Sequence, residues 1–150
     1  MAGIRYLRRR NTTDPAYRSI SCHVLMNQTR PRISVLDDDP SICRALARLL
    51  KGHGFEVMTF TRGEDFLEAC ALQAPNCLLL DLHMQDLNGF EVLERIATRH
   101  VPAVVMTGND QPGNAQRVRT LGAFDYLLKP VDKVQLLAAI RGAIHHEPHP

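Results

Sequence analysis

From residue 32 onward, short apolar runs alternate with segments whose apolar residues recur at helical spacing. Ile33-Ser34-Val35-Leu36 is such a run, ends in acids, and reads as a buried strand. Asp39-Pro40 then opens a helix, because Asp accepts from free N-terminal amides and Pro suits the first turn. Ile42, Leu46, Leu49 and Leu50 define one face of that helix, and Gly52 and Gly54 stop it. Phe55 to Phe60 alternates apolar and polar, as an edge strand does. Residues 62–73 read as a second helix with Phe66, Leu67 and Cys70 inward. Cys77 to Leu80 predicts a central strand ending at Asp81. Asn88 caps a third helix with Phe90, Leu93, Ile96 and Ala97 inward. Ala103 to Met106 is a fourth strand ending at Thr107, and Gly108 to Gly113 a loop. Ala115, Val118 and Leu121 mark a fourth, less apolar helix. Phe124 to Leu128 is the fifth strand, ending at Lys129-Pro130, and Val134, Leu137, Ile140 and Ile144 line the last helix.

Five strand–helix units with short connections imply an α/β fold, a parallel sheet with helices on both faces. The chain has 150 residues and is 45% apolar, enough for one domain with a sizeable core and some extra chain. Cys22, Cys43, Cys70 and Cys77 are scattered with no C-x-x-C pair, which argues against a zinc site or a disulfide framework and fits a reducing cytoplasm. No apolar run approaches the roughly 20 residues of a membrane helix, so no membrane insertion is expected. Arg8-Arg9-Arg10 precedes no apolar stretch of export-signal length.

Charge divides the chain. Residues 1–32 carry seven arginines (Arg5, Arg8, Arg9, Arg10, Arg18, Arg30, Arg32) against Asp14, a net of +6, which leaves −4 for the rest of a chain of net +2. The expected organisation is a basic, patternless, disordered extension over 1–31, a folded domain over 32–145 and a disordered tail over 146–150. Translation starting near Met26 accounts for the arm more simply than a nucleic-acid-binding role, and leaves a chain of net −2.

In open parallel sheets ligands sit beyond the carboxyl ends of the strands. Four strands here end in chemically capable residues: Asp37-Asp38-Asp39, Asp81, Thr107 and Lys129. Each alone has a plain structural reading, Asp39 above all as a helix cap. Together they make one pocket of carboxylates, a hydroxyl and an amine. Clustered carboxylates invite a hard cation such as Mg²⁺, and a carboxylate can itself be a phosphoryl acceptor. Thr107 could donate to a phosphoryl oxygen and Lys129 neutralise its charge.

These residues and their surroundings resemble the receiver domain of two-component response regulators. The resemblance rests on Val35-Leu36-Asp37-Asp38-Asp39, Leu79-Leu80-Asp81-Leu82-His83-Met84, Asn88-Gly89-Phe90-Glu91, Val104-Val105-Met106-Thr107-Gly108, Gly122-Ala123 and Tyr126-Leu127-Leu128-Lys129-Pro130. It implies a flavodoxin-like five-stranded sheet of order 2-1-3-4-5. It implies that Asp37, Asp38, Asp81 and the backbone carbonyl of His83 hold Mg²⁺. Asp81 would accept the phosphoryl group, and Thr107 and Lys129 would bind its oxygens. Thr107 and Tyr126 would form the switch, and the Lys129–Pro130 peptide would be cis. The flavour is closest to receivers of nitrogen-fixation-type transcriptional regulators. Two departures stand out: Gln85 replaces the usual Pro, and His83 is uncommon at its position. His83 and Asn109 are expected to border the path of the hydrolytic water and so tune phosphoryl lifetime.

The resulting expectation is a cytoplasmic single-domain response regulator, not a turnover enzyme beyond its own phosphorylation and dephosphorylation. Its partners would be a histidine kinase or phosphotransfer protein and a downstream protein, with phosphorylation-dependent homodimerisation left open. One competing reading is a transcriptional regulator that is truncated or binds DNA through its basic arm. A more distant one is a Mg²⁺-dependent aspartyl-phosphate phosphatase, whose acid/base Asp two residues past the acceptor is here His83.

Overall fold

A computed structural model describes residues 29–146. The expectations for most of the basic arm and for the end of the tail therefore lie outside the described residues. The elements are β1 (Arg32–Leu36), α1 (Pro40–Gly52), β2 (Glu56–Phe60), α2 (Gly63–Leu72), β3 (Cys77–Asp81), α3 (Gly89–Ile96), β4 (Ala103–Thr107), α4 (Asn114–Thr120), β5 (Asp125–Leu128) and α5 (Lys133–His145). All four strand pairings are parallel. The strand order is β2-β1-β3-β4-β5, as the resemblance implied.

Alternation along the strands splits the interior into two cores. Ile33, Val35, Cys77, Leu79, Val104 and Met106 face α1 and α5, where Cys43, Leu50, Leu136 and Ile140 meet them. Leu36, Leu78, Leu80 and Val105 face the other way, toward Phe66 of α2, Val92 and Leu93 of α3 and Val118 of α4. A parallel sheet covered on both faces needs strands that are apolar on both sides, and β3 and β4 are buried at every position. β2 is half-exposed because it lies at the edge.

Helical periodicity located the helices better than their buried faces. In α1, Cys43 is buried with Leu50, whereas Ile42, Leu46 and Leu49 are only partly covered. In α3, Val92 is inside and Ala97 is exposed, because a 3₁₀ turn over Ala97–Arg99 rotates the chain off the helical face. In α5, Leu136, Ala139 and Ala143 face the sheet with Leu137 and Ile140, while Val134 points outward at 73% exposure. Of the expected stripe, Leu137 and Ile140 are buried and Ile144 packs against the core, and only Val134 faces outward. Small alanines mark the side that packs closely on the sheet, and a pattern sought among large apolar residues passes over them.

Candidate functional site

Strand register alone assembles the site. Leu36 pairs with Leu80, so Asp37 emerges beside Asp81. Asp81 pairs with Met106, so Thr107 lies one step further along the neighbouring strand. Thr107 pairs with Leu128, and the Lys129 amide donates to the Thr107 carbonyl at 2.8 Å. Asp37, Asp38, Asp81, Thr107 and Lys129 thus come from the ends of four strands to one edge of the sheet.

Asp37 is the most constrained of the acids and is only 1% exposed. Its Oδ1 accepts from the Asp39 amide at 2.9 Å and its Oδ2 from Lys129 Nζ at 3.0 Å. Its own amide donates to the Phe60 carbonyl, and Cys43 Sγ donates to its carbonyl at 3.3 Å. Asp39 in turn caps α1, accepting from the Ser41 amide at 2.8 Å, with Pro40 in the first turn. The acid run therefore divides its labour: Asp39 is spent on the helix, and Asp37 and Asp38 remain for the pocket. Cys43 escaped the sequence reading, although 43, 46 and 50 share a helical face; its thiol sits under Asp37, and burial and that carboxylate push its pKa up.

Asp81 ends the fully buried strand β3 and is 6% exposed. Its carboxyl pKa is raised: burial is the largest cause, Lys129 opposes it, Asp37 adds to it, and a hydrogen bond from the His83 backbone opposes it again. Lys129 Nζ stands 3.6 Å from Asp81 Oδ1 while bonded to Asp37. Burial pulls the Lys129 pKa down, but the hydrogen bond to Asp37 and the charge of Asp81 outweigh it, and the net shift is upward. One ammonium thus holds two carboxylates together. Asp38 is exposed beside them. One oxygen from each of Asp37, Asp38 and Asp81 lies within 4.8 Å of the others. Three converging carboxylates, all hard oxygen donors and one of them open to solvent, fit a divalent cation that keeps part of its water. The Lys129–Pro130 peptide is cis.

Behind Asp81 the backbone is packed tightly. The Gly89 amide donates to the Leu82 carbonyl at 3.0 Å. A Cβ at Gly89 would stand 2.8 Å from Leu82 Cα and 3.0 Å from the Asp81 carbonyl oxygen. Asn88 and Glu91 close a capping box over the start of α3, fixing this loop.

Thr107 and Tyr126, the residues expected to form a switch, occupy the β4–α4 side. Thr107 is buried, with Oγ1 donating to the Asn109 carbonyl at 3.1 Å and accepting from the Asn109 amide at 3.2 Å. His83 is exposed, and its Nε2 lies 3.2 Å from that same Asn109 carbonyl. The two positions expected to flank a hydrolytic water are thus bonded to each other across the pocket mouth. Tyr126 is half-buried, and its hydroxyl donates to Asp110 Oδ1 at 2.9 Å. Asp110 was not singled out in the sequence, where it is one more polar residue in a loop without period.

Known proteins place this arrangement. Residues 33–141 match the response regulator receiver domain family. The DNA-binding transcriptional regulator NtrC of Escherichia coli (strain K12) is 40% identical over 114 residues, covering 75% of this chain and 24% of NtrC. The chain thus spans about a quarter of the length of that relative. Protein PilH of Pseudomonas aeruginosa is 32% identical over 75% of this chain and 97% of its own length. A solved response regulator receiver domain protein from Clostridium thermocellum superposes with a TM-score of 0.72 at 31% identity, covering 76% of this chain and 94% of that one. No helix among the described residues is long and apolar enough to cross a membrane. With its sheet order, its strand-end acids and these likenesses in agreement, the chain belongs to the response regulator receiver domain family.

Proposed function

We propose that this receiver accepts a phosphoryl group on Asp81 from a histidine kinase or phosphotransfer protein, with Mg²⁺, and signals through phosphorylation-dependent protein contacts. The observation that carries the reading is Lys129 Nζ between Asp37 and Asp81, inside a cluster of three carboxylates. Asp37, Asp38, Asp81 and the His83 carbonyl would hold the metal. When bound, Mg²⁺ supplies positive charge against the phosphoryl oxygens and the crowded acids.

An Asp81 carboxylate oxygen is the nucleophile. It bonds to phosphorus while the phosphorus–nitrogen bond of phosphohistidine breaks, and the departing imidazole nitrogen keeps the electron pair. The product is an acyl phosphate. Lys129 already supplies positive charge to this pocket and can turn from Asp37 and Asp81 to a phosphoryl oxygen. Thr107 can give up its bond to the Asn109 carbonyl and donate to another. That movement draws in the 108–113 loop, lets Tyr126 turn and alters the face presented by α4 and β5 to a partner. PilH, matched over nearly its whole length, supports the single-domain form of this reading.

The test is labelling by a small phosphodonor with Mg²⁺. Wild type is expected to take up one alkali-labile phosphoryl group and Asp81→Asn none. Undiminished label in the mutant refutes the assignment.

A further inference from the structure

At the edge of the sheet opposite β5, β2 pairs with β1 and with no other strand among the described residues. Along a strand, every second residue turns its amide and carbonyl to the same side. The Glu56 amide donates to the Pro31 carbonyl and the Phe60 carbonyl accepts from the Asp37 amide, so the even-numbered residues bond inward, toward β1. Val57 and Thr59 therefore direct their amides and carbonyls to the open edge. Such an edge is a template for another strand, and proteins commonly blunt it with Pro, Lys or a bulge. β2 has none of these: it reads Glu56-Val57-Met58-Thr59-Phe60, and its register with β1 is unbroken from Arg32–Glu56 to Leu36–Phe60. The apolar surface beside it is open too. Met58 is 55% and Leu72 90% exposed, and they flank a groove lined by Ile33, Phe60 and Cys70.

We propose that this edge is covered by β2 of a second copy of the chain, paired antiparallel with Thr59 opposite itself across a two-fold axis. Charge selects that occupant and that register. Pairing through the open edges sets odd-numbered residues opposite each other as the bonded pairs, here Thr59 with Thr59 and Val57 with Thr61. Even-numbered residues then meet as the closer, non-bonded pairs. Centred on Thr59, Glu56 lies opposite Arg62 and Met58 opposite Phe60, each twice by symmetry. Centred on Phe60, Glu56 would face Glu64 instead, and centred on Met58 it would face Phe60. Arg62 is still extended, at φ −130° and ψ 136°, so it continues the strand. Both charges are available. Arg32, beside Glu56 on β1, gives its guanidinium to the Ala74 carbonyl at 2.8 Å. Arg62 reaches Asp86 only at 4.0 Å, with both side chains largely exposed. The pairing would join two sheets into one. It lies away from α4 and β5 and does not depend on Asp81 being the acceptor.

Sedimentation velocity of the full chain, without metal or phosphodonor, reads the pairing. One short strand pair makes a small interface, so the dimer should form with a Kd on the order of 0.1 mM. Glu56→Arg and Arg62→Glu each turn two attractions into repulsions and should weaken it about tenfold, and the double variant should restore the wild-type value. A chain that stays monomeric to about 1 mM overturns the proposal. A dimer indifferent to the single reversals, or one that the double variant fails to restore, joins its copies through another face and overturns it equally. Should a reversal disturb the fold, as circular dichroism would show, Met58→Lys decides, because it sets a charge against Phe60 from an exposed position: a weakened dimer supports the pairing and an unchanged one overturns it.

Discussion

The two flanks of the site are built on opposite plans. On the acidic flank, Asp37 is held by four hydrogen bonds. Asp39 caps the 13-residue helix α1, and a complete capping box starts α3. On the β4–α4 flank, α4 has seven residues and starts from Gly113 at φ 87° with no side-chain cap. Its buried residues are Asn114 and Val118. The difference follows from what each flank must do. Carboxylates this close repel one another and would spread unless their backbone were pinned. Under the proposed function, the β4–α4 surface would report a state, which calls for two arrangements of similar free energy, few apolar contacts and weak termini. Amide hydrogen exchange should therefore be faster in α4 than in α1 or α3 at the same pH, and equal protection would break the comparison.

The largest predicted effect comes from removing the cation that holds the acidic flank. Lys129→Met leaves Asp37 and Asp81 side by side without a countercharge. Breaking a buried pair costs 3–5 kcal/mol, and with Lys129 24% exposed the loss should sit at the low end, about 3 kcal/mol by urea unfolding. Saturating Mg²⁺ should recover most of it, since the metal replaces the lost charge. A mutant that Mg²⁺ does not rescue would mean that these carboxylates do not hold the ion.

Asp81→Asn should act in the opposite direction. Burial raises the folded pKa of Asp81, so the folded chain keeps that proton to higher pH than the unfolded one. Stability from this group is then complete below the ordinary carboxylate range, near 4, and declines as pH rises through the folded value. Without metal, the mutant should be more stable than wild type at neutral pH, and the gap should close in acid. A gap independent of pH would show that ionised Asp81 does not strain the pocket.

Smaller effects separate the flanks by local structure. Gly89→Ala drives a methyl into the backbone behind Asp81 and should cost about 1–3 kcal/mol, because backbone cannot yield as a side chain can. Asn88→Ala opens the capping box at about 1 kcal/mol. Gly113→Asn at the start of α4 should cost less than either, since Asn tolerates positive φ and no side-chain cap exists to lose. All three read out as shifts in urea midpoint, and a Gly113→Asn loss as large as that of Gly89→Ala would mean the β4–α4 flank is as tightly specified as the other.

The same contrast explains what was legible in the sequence. The convergence of Asp37, Asp81, Thr107 and Lys129 follows from apolar runs that end in polar residues, a signal one strand long, whereas the strand order came from the family resemblance. Asp39 as a cap was readable because capping is local in sequence. Cys43, Ala139 and Ala143 were not, because small residues on a packed face carry little periodic signal. Asp110 was not, because what matters about it is a partner on β5, more than ten residues away along the chain. Gly89 was visible only as the neighbour of a cap; its need to be glycine comes from the Leu82 backbone and is seen only in three dimensions.

The finest test concerns a side-chain bond between the flanks. His83 Nε2 meets the Asn109 carbonyl, which also accepts from Thr107. When Thr107 leaves for a phosphoryl oxygen, His83 can keep that carbonyl satisfied and hold the loop across the pocket mouth. His83→Ala removes this tether and widens the approach for water. The phosphorylated mutant should lose its label a few times faster, on the scale of one net hydrogen bond, while reaching the same level at saturating phosphodonor. His83→Gln, which keeps a donor at similar reach, should restore most of the lifetime. Equal decay in wild type and His83→Ala would make the tether a feature of the resting state only.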